Sequence, residues 1–483
     1  MELSDDLKIF DHSLVKQLNI IAQNQIQYWD VRASKNIGTT VDFTDQKSKE
    51  VSYYEVNDCG IRAFINGGWG FCVLKDLNKN EILNSFSKSI KLAKLSESLL
   101  NFKFTINQLN PQEINYQNFS KIPLEDVNIE DKIKLVKNHE KIAANFANEI
   151  TNTHTIYTDN IANSVLINSF GSRIIQKLSF LRLFSMVYSK KKGIIQRSIN
   201  SVGGIGGFEV LTTENANEIS KKTATEAIEL LTAKSPKGGK FTIIADPKLT
   251  GTLIHEAFGH ACEADTVLNK ESILEGKIDE KVAVDEVTII DNPTLGQGKK
   301  FNLPYELYGC YNVDDEGIES QSTTVIENGI LKNYLHNIET ASRMNVAPNG
   351  HGRASSSSSK PLVRMGFIYL EPKDWKVDEL IEDTKHAILC EDFLYGYTNP
   401  TTGNFQFKCK FSYEIENGEK KQLMRDVALS GIILEVLNKI SGISDKSSFN
   451  YSDGICGKSG QSVRVCDGGP YIRINDITVG GLN

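Results

Sequence analysis

Histidine and carboxylate side chains are concentrated in one short stretch of this chain. Residues 253–265 read Leu-Ile-His-Glu-Ala-Phe-Gly-His-Ala-Cys-Glu-Ala-Asp and contain two of the eight histidines, His255 and His260. Glu256 directly follows the first of them. Imidazole nitrogens bind transition metals, and a neighbouring carboxylate can act as a general base. This combination is therefore typical of a hydrolytic metal site.

The spacing of the two histidines departs from the usual zinc-peptidase pattern. In HExxH the histidines are four residues apart and project from one side of a helix, whereas this sequence has HExxxH. On an ideal helix, at about 100° per residue, His255 and His260 would lie about 140° apart. They can share a metal only if the helix loosens, as it does in a π-bulge. We expect Gly259, just before the second histidine, to ease that distortion.

Two other interpretations of this helix remain open. In one, both histidines are partly buried packing residues and the acidic side chains form a solvated face. In the other, Glu256, His260 and Glu263, at steps of four and three, bind a metal from one face of the helix. One helix cannot easily close a tetrahedral site, so a further ligand from elsewhere in the chain is expected.

The candidates for this further ligand are the remaining cysteines and histidines. Cys456 is the best placed, because glycines flank it within residues 453–460 and allow close approach of the backbone to a ligand, while Lys458 favours its thiolate form. Cys262 and Cys466 are the alternatives.

The surrounding pattern predicts an α+β protein with two domains. An N-terminal α/β-type domain spans residues 1–235, and a β-rich C-terminal domain carrying the candidate metal-binding helix spans residues 240–483. The Ser-Pro-Lys-Gly-Gly turn at 235–239 separates them. A strand at 241–245 leads into the helix predicted at 247–264, with Asp246 as its cap and Pro247 in its first turn.

Periodicity predicts most of the other elements. In the first domain we expect a hairpin at 61–73, helices around 82–93, 126–150 and 213–234, and a long half-buried strand from 154 to 188. In the second domain, Asn-Gly pairs predict hairpins at 324–331 and 413–419, and a helix is expected at 427–440. The segment at 350–359, Gly-His-Gly-Arg-Ala followed by a run of serines, is expected to be a surface loop or an active-site flap.

The composition restricts the classes to which the chain can belong. Its 483 residues carry 54 Lys and Arg against 61 Asp and Glu, a net charge of −7, which disfavours a nucleic-acid partner. The sequence shows no signal peptide and no run of about 18 apolar residues, so no membrane partner is expected. Eight scattered cysteines without a CxxC pair favour reduced thiols. We therefore expect a cytoplasmic protein.

The stretch from His255 to Asp265 resembles the motif of the TldD subunit of the TldD/PmbA (TldE) family, metallopeptidases also described as modulators of DNA gyrase. The resemblance covers almost the whole chain and is strongest from about residue 240 onward. It extends to residues 314–317, 326–331, 349–353, 361, 364–365, 454–458, 460–462 and 478–481. Ala354 and residues 465–470 depart from the family pattern and leave substrate preference open.

The resemblance implies a zinc peptidase. Zinc would be held by His255, His260 and Cys456, with Glu256 as general base. Apart from the resemblance, a thiolate ligand softens the Lewis acid, so a further oxyanion donor in the substrate-binding site is expected. His351 and Arg353 in the polar loop are the candidates, and the sequence does not decide between them. Short or unfolded peptides are the expected substrate. Family members pair subunits, so the partner would be a second copy or a metal-free PmbA/TldE-like paralogue. The alternative is a metal-dependent peptide-binding or gyrase-modulating partner protein that does not hydrolyse its ligand.

Overall fold

A large, mostly antiparallel sheet organises the N-terminal half of the protein. The structure is a computed structural model that describes residues 4–296, 301 and 303–480. The strands of this half are β1 Tyr28–Thr44, β2 Lys47–Ile65, β3 Gly68–Leu74, β4 Glu113–Gln117, β5 Ile150–Asn168, β6 Arg173–Lys191 and β7 Ile194–Ile205. Its helices are α1 His12–Ala22, α2 Lys79–Ser98, α3 Ile129–Ala144 and α4 Glu214–Glu229. The sheet runs in the order β7-β6-β5-β1-β2-β3, and β4 pairs with β6 in parallel.

The local signals of this half are largely confirmed. The hairpin between β2 and β3 turns at Asn66 and Gly67, whose φ angles of 47° and 95° suit these residue types. The apolar stripe of α2, including Ile82, Phe86 and Ile90, is buried. An amphipathic helix thus covers the sheet as its periodicity predicts.

Two predicted elements of this half have the wrong extent. The helix predicted at 126–150 ends at Ala144, and Ile150 begins β5. The long strand predicted from 154 to 188 is two strands, because the chain reverses between β5 and β6, where Gly171 has a φ of 93°. The alternation of apolar and polar residues continues on both sides of that turn, so periodicity alone does not reveal it.

Short strands and short helices make up the C-terminal half. Its strands are β8 Gly239–Ala245, β9 Ile289–Asp291, β10 Glu306–Leu307, β11 Thr323–Glu327, β12 Ile330–Leu331, β13 Gly352–Arg353, β14 Leu362–Val363, β15 Phe367–Leu370, β16 His386–Asn399, β17 Asn404–Glu416, β18 Glu419–Met424, β19 Ala428–Ile432, β20 Ile440–Ile443, β21 Asn450–Lys458, β22 Gln461–Gly469 and β23 Ile472–Gly480. Its helices are α5 Pro247–Thr252, α6 Ala264–Leu268, α7 Ile338–Met344, α8 Val377–Glu382 and α9 Ile433–Leu437.

Two sheets of this half hold the candidate site between them. One runs β12-β11-β9-β15-β22-β21, and the other runs β16-β8-β23-β19-β17-β18, with β20 added to β23. Helix α5 follows β8 and packs on β22, β21 and β16. The largest core cluster includes the apolar side chains of this helix and of the segment after it, such as Leu249, Ile254 and Phe258. The short strand β10 joins the N-terminal sheet beside β7.

The predicted α+β class is confirmed, as are both Asn-Gly hairpins, formed by β11 with β12 and by β17 with β18. The helix predicted at 427–440 is wrong. Its apolar run forms β19, the one-turn helix α9 and β20, because β17 and β23 pair with β19 on its two edges. Within the described residues, no helix has the length and apolarity needed to cross a membrane. The division at 235–240 stays a prediction.

Candidate metal centre

The helix that carries the HExxxH motif changes its winding at the motif. The α-helical part ends at Thr252, a π-helical turn spans Leu253–Phe258, and a 3-10 turn follows at Gly259–Cys262. The predicted π-distortion is confirmed and replaces the continuous helix expected at 247–264. Its effect is to bring the rings of His255 and His260 to a centroid separation of 5.3 Å at an angle of 90°.

Gly259 has a different role from the expected one. Its φ of −56° is ordinary helical backbone, so conformational freedom is not what the position requires. A Cβ atom there would lie 2.1 Å from Sδ of Met365. Glycine is therefore needed because the buried Met365 side chain packs against the backbone between the two histidines.

Cys456 supplies a thiol to the two imidazoles from the other side. It lies on β21, an edge strand, and its Sγ is 3.3 Å from Nε2 of His260. The donor atoms of His255, His260 and Cys456 all lie within 4.8 Å of one another. Arg364 donates to the Cys456 carbonyl at 2.5 Å and so holds the backbone at this residue. The structure thus assembles three residues that the sequence separates by up to 201 positions.

The other proposed ligands point elsewhere. The Cys262 thiol donates to the Gly259 carbonyl at 3.0 Å, and the Cys466 sulfur accepts from the Gly309 amide at 3.2 Å. Glu263 contacts Nδ1 of His260 at 3.0 Å, which is the ring nitrogen opposite Cys456. The set of Glu256, His260 and Glu263 on one helical face is therefore not formed as a single cluster.

The pKa values of the clustered residues and of the adjacent Glu263 depend on one another. Burial alone would raise the pKa of Cys456, but the adjacent imidazoles outweigh it and lower that pKa to about 5. Conversely, burial opposes the charged form of His255, but the thiolate of Cys456 raises its pKa to about 9. Burial also disfavours the charge of Glu263, yet His260 and Lys458 hold its pKa at about 2. The adjacent imidazoles therefore favour the thiolate of Cys456, which is the form that binds metal.

These residues fit a zinc ion by their chemistry. Two imidazoles and one thiolate form a mixed N and S donor set of the kind that zinc prefers. Tetrahedral zinc bonds of about 2.0 to 2.3 Å place two ligand atoms about 3.5 Å apart, and the separation of Cys456 Sγ from His260 Nε2 is 3.3 Å. Nδ1 of His255 is buried without a hydrogen-bond partner among the described residues. This polar atom needs a partner, as buried polar groups do.

Glu256 borders the cluster on its accessible side. Its side chain is 35% exposed, and one carboxylate oxygen lies 3.9 Å from Nε2 of His260. It is the most exposed of the motif's titratable side chains, since His255 and Glu263 are buried and the His260 side chain is 14% exposed. A carboxylate in this position can reach a water molecule at the cluster.

His351 and Arg353 lie in buried structure, so the surface loop predicted at 350–359 is wrong for these two residues. His351 is fully buried with Nε2 3.3 Å from Asp291, and Arg353 stacks over Tyr311 while donating to the Met365 carbonyl. Strand β13 pairs with β14, so this segment is part of the fold. Only residues after Arg353 approach the surface. As oxyanion donors, both stay a prediction.

Sequence reasoning missed Asp467 as a neighbour of the site. This carboxylate on β22 is 8% exposed, and burial raises its pKa to about 7 although the nearby His255 lowers it. It packs against α5, where a Cβ on Gly251 would lie 2.7 Å from Oδ1 of Asp467. The only available signal was its departure from the family pattern at residues 465–470.

Three family models match successive parts of the chain. They are the PmbA/TldA metallopeptidase domain 1 at residues 29–93, the central domain at 122–231 and the C-terminal domain at 238–481. The chain belongs to the TldD/PmbA metallopeptidase family. Its HExxxH motif and Cys456 lie within the C-terminal domain of this metallopeptidase.

Relatives of this TldD/PmbA chain carry metalloprotease names. A metalloprotease of Methanothermobacter thermautotrophicus is 36% identical, over 95% of this chain and 96% of that protein. A zinc metalloprotease TldD homolog of Saccharolobus solfataricus is 28% identical, over 94% of this chain and 96% of that protein. Among solved structures, TldE from Thermococcus kodakarensis aligns with a TM-score of 0.72 at 16% identity, over 97% of this chain and 100% of that one. A candidate DNA gyrase modulator from Thermotoga maritima aligns with a TM-score of 0.75 at 20% identity, over 97% of this chain and 99% of that one. These two structural similarities concern the fold.

Proposed function

We propose that this protein is a zinc-dependent peptidase that hydrolyses peptide bonds in short or unfolded peptides. The observation that carries the proposal is the convergence of three donor atoms, from His255, His260 and Cys456, within 4.8 Å of one another beside a partly exposed Glu256. The name of the Saccharolobus solfataricus relative, a zinc metalloprotease, supports zinc as the metal.

His255, His260 and Cys456 would hold the zinc ion. When bound, zinc supplies Lewis acidity, which acidifies a water molecule and polarises the scissile carbonyl. Glu256 takes the proton from the attacking water and returns it to the leaving amine. Its 35% exposure keeps the carboxylate within reach of solvent and substrate. A structural zinc site needs no base and has a fourth protein ligand as a rule, so Glu256 favours hydrolysis over ligand binding alone.

An extended peptide is the substrate form that suits this site. Strand β21 carries Cys456 and pairs with β22 on one side only, within the described residues. A peptide can add to such an edge through main-chain hydrogen bonds, which give affinity with little dependence on sequence. Folded proteins offer no free extended segment and would be poor substrates.

The proposed setting is a cytoplasmic dimer that encloses the cleft. The partner is either a second copy or a metal-free PmbA/TldE-like chain, and the fold shared with a protein named TldE supports such pairing. A nucleic-acid partner does not fit the net charge of −7.

Glu256→Gln tests the hydrolytic role. The variant keeps the shape of the side chain, so zinc content and Tm should match the wild type, while turnover of an unstructured peptide should fall by about 10² to 10⁴-fold. The matched control is Glu339→Gln, a partly buried glutamate of α7, which should retain activity. Undiminished cleavage by Glu256→Gln would refute the assigned role. A wild-type protein that binds zinc and peptide but cleaves nothing would support the alternative of a peptide-binding or gyrase-modulating partner protein.

The enclosed cleft is tested by offering a folded globular protein and its reduced, unfolded form side by side. The unfolded form should be digested and the folded form spared, with light scattering reporting the oligomer. Equal digestion of both forms, or full activity from a strict monomer, would contradict the enclosed cleft.

A further inference from the structure

Strand β21 directs two side chains toward the motif segment. Cys456 and Lys458 are two residues apart and therefore on the same face of the strand. Cys456 reaches His260, while Nζ of Lys458 contacts Glu263 at 2.9 Å and Asp265 at 2.7 Å. The strand is thus connected to the motif at two adjacent points, one through sulfur and one through an ion pair.

Glu263 is the buried link between this ion pair and the histidine. Its side chain is 1% exposed, and the same oxygen, Oε2, receives Nζ of Lys458 and lies 3.0 Å from Nδ1 of His260. A buried carboxylate is costly unless charged or polar donors surround it. Lys458 therefore supplies the charged partner that holds Glu263 in place.

The position of Glu263 determines which ring nitrogen of His260 is available. Nδ1–H donates to Oε2 of Glu263, so Nε2, the atom 3.3 Å from the sulfur of Cys456, is the ring nitrogen directed to the proposed metal. Carboxylates bound to the second nitrogen of metal-ligating histidines fix the tautomer and ring orientation and raise ligand basicity.

We infer that Glu263 and Lys458 are positioning residues for the metal centre, with Lys458 acting through Glu263 and Glu263 acting through His260. The inference rests on the proposed metal ligands and is independent of the role of Glu256. Asp265 contributes less, because it holds Lys458 but not His260 and its side chain is 26% exposed.

The test measures zinc affinity by competition with a chelator, in Glu263→Gln, Lys458→Met and the double variant. Loss of such a partner weakens metal binding by about 10- to 100-fold, and we expect this for Glu263→Gln with a smaller loss for Lys458→Met. Because Lys458 acts through Glu263, the loss in the double variant should fall short of the product of the single losses. The matched control is Lys408→Met, which removes an ion pair of similar exposure, 22% and 8% for the two side chains, and should bind zinc within about twofold of wild type.

Cobalt substitution distinguishes positioning from a general loss of structure. Cobalt-loaded Glu263→Gln should keep the thiolate charge-transfer band of Cys456 and show shifted ligand-field bands, since only the His260 bond is altered. Should Glu263→Gln fail to fold, Glu263→Asp keeps the charge while lengthening the contact to His260, and the same affinity loss is expected.

Zinc affinities within twofold of wild type in Glu263→Gln or Glu263→Asp, with unchanged cobalt spectra, would overturn the inference. A multiplicative loss in the double variant would overturn the linkage through Glu263. A wild-type protein that binds zinc but cleaves nothing would defeat the proposed function, while the affinity comparison would still decide the positioning role. A wild-type protein that does not bind zinc stoichiometrically would contradict both the proposed function and the positioning role.

Discussion

Gly251 lies where helix α5 meets the backbone of β22, one helical turn before His255. A Cβ atom at this position would lie 2.4 Å from the Gly468 amide nitrogen and 2.7 Å from both Gly468 Cα and Oδ1 of Asp467. Ordinary contacts begin at 3.4 Å. Two of the three obstacles are backbone atoms, which cannot rotate away. Gly251→Ala therefore requires the helix and the strand to separate by roughly 1 Å at this point.

The size of the effect follows from two opposing contributions. Alanine favours a helix over glycine by about 1 kcal/mol, whereas overpacking a rigid contact costs about 1 to 3 kcal/mol and occasionally more. Because the obstacle is backbone, we expect the upper part of the resulting range, a net destabilisation of about 1 to 2 kcal/mol, or a fall in Tm of roughly 2 to 8 °C for a domain of this size. The separation of α5 from β22 also displaces His255, so zinc affinity should decrease.

The assay compares Tm in excess chelator and zinc affinity by competition. Gly457→Ala is the matched control, because it borders Cys456 directly and an added Cβ there meets nothing within 4 Å. That variant should match the wild type in Tm and in zinc affinity. A Gly251→Ala protein with unchanged or higher Tm and full zinc affinity would show that α5 does not depend on the close contact with β22.

Three further predictions concern the ligand set, pH and buried charge. Cys456→Ala should lower both zinc content, measured by elemental analysis after gel filtration, and activity. Full retention of both would show that the third ligand is a residue other than Cys456. Burial raises the pKa of Asp246 from 3.8 to about 7. The contribution of its neutral carboxyl group to the free energy of unfolding is therefore fully present below about pH 4 and is lost as the pH rises through 7. As the pH rises from 5 to 8, the free energy of unfolding of Asp246→Asn, measured with urea, should therefore increase by about 1 to 3 kcal/mol relative to that of the wild type. A difference between the two proteins that stays constant over this range would contradict the prediction. Arg62→Met strips two fully buried carboxylates of their cation and should cost about 3 to 5 kcal/mol, whereas Lys35→Met, whose partners are 42% and 48% exposed, should cost less than about 1 kcal/mol.

Local chemistry made much of this structure predictable. Asn66 and Gly67 need positive φ angles that few other residues tolerate, so the hairpin they form could be located without tertiary information. The π-turn was predictable for a similar reason. The spacing of His255 and His260 is incompatible with a shared metal on a regular helix, and the distortion is the local solution.

Features that depend on distant partners could not be predicted from periodicity. Residues 427–440 are apolar enough for a helix, and only pairing with β17 and β23 makes part of them a strand. His351 and Arg353 look like surface residues, but Asp291, Tyr311 and the Met365 carbonyl accommodate them inside the protein. Cys456, 196 residues from His260, was singled out as a ligand mainly by the family resemblance.

The position of β23 determines when the centre can form during synthesis. This strand comprises Ile472–Gly480 and lies inside the seven-stranded sheet, between β8 and β19. Strand β8 leads directly into the helix with both histidines, so the sheet that anchors this helix is incomplete until β23 has been made. Cys456 likewise follows His260 by 196 residues. A chain that ends before β23 would therefore hold the HExxxH motif without the sheet that supports the proposed metal centre, so synthesis of the motif and completion of the centre are separate events.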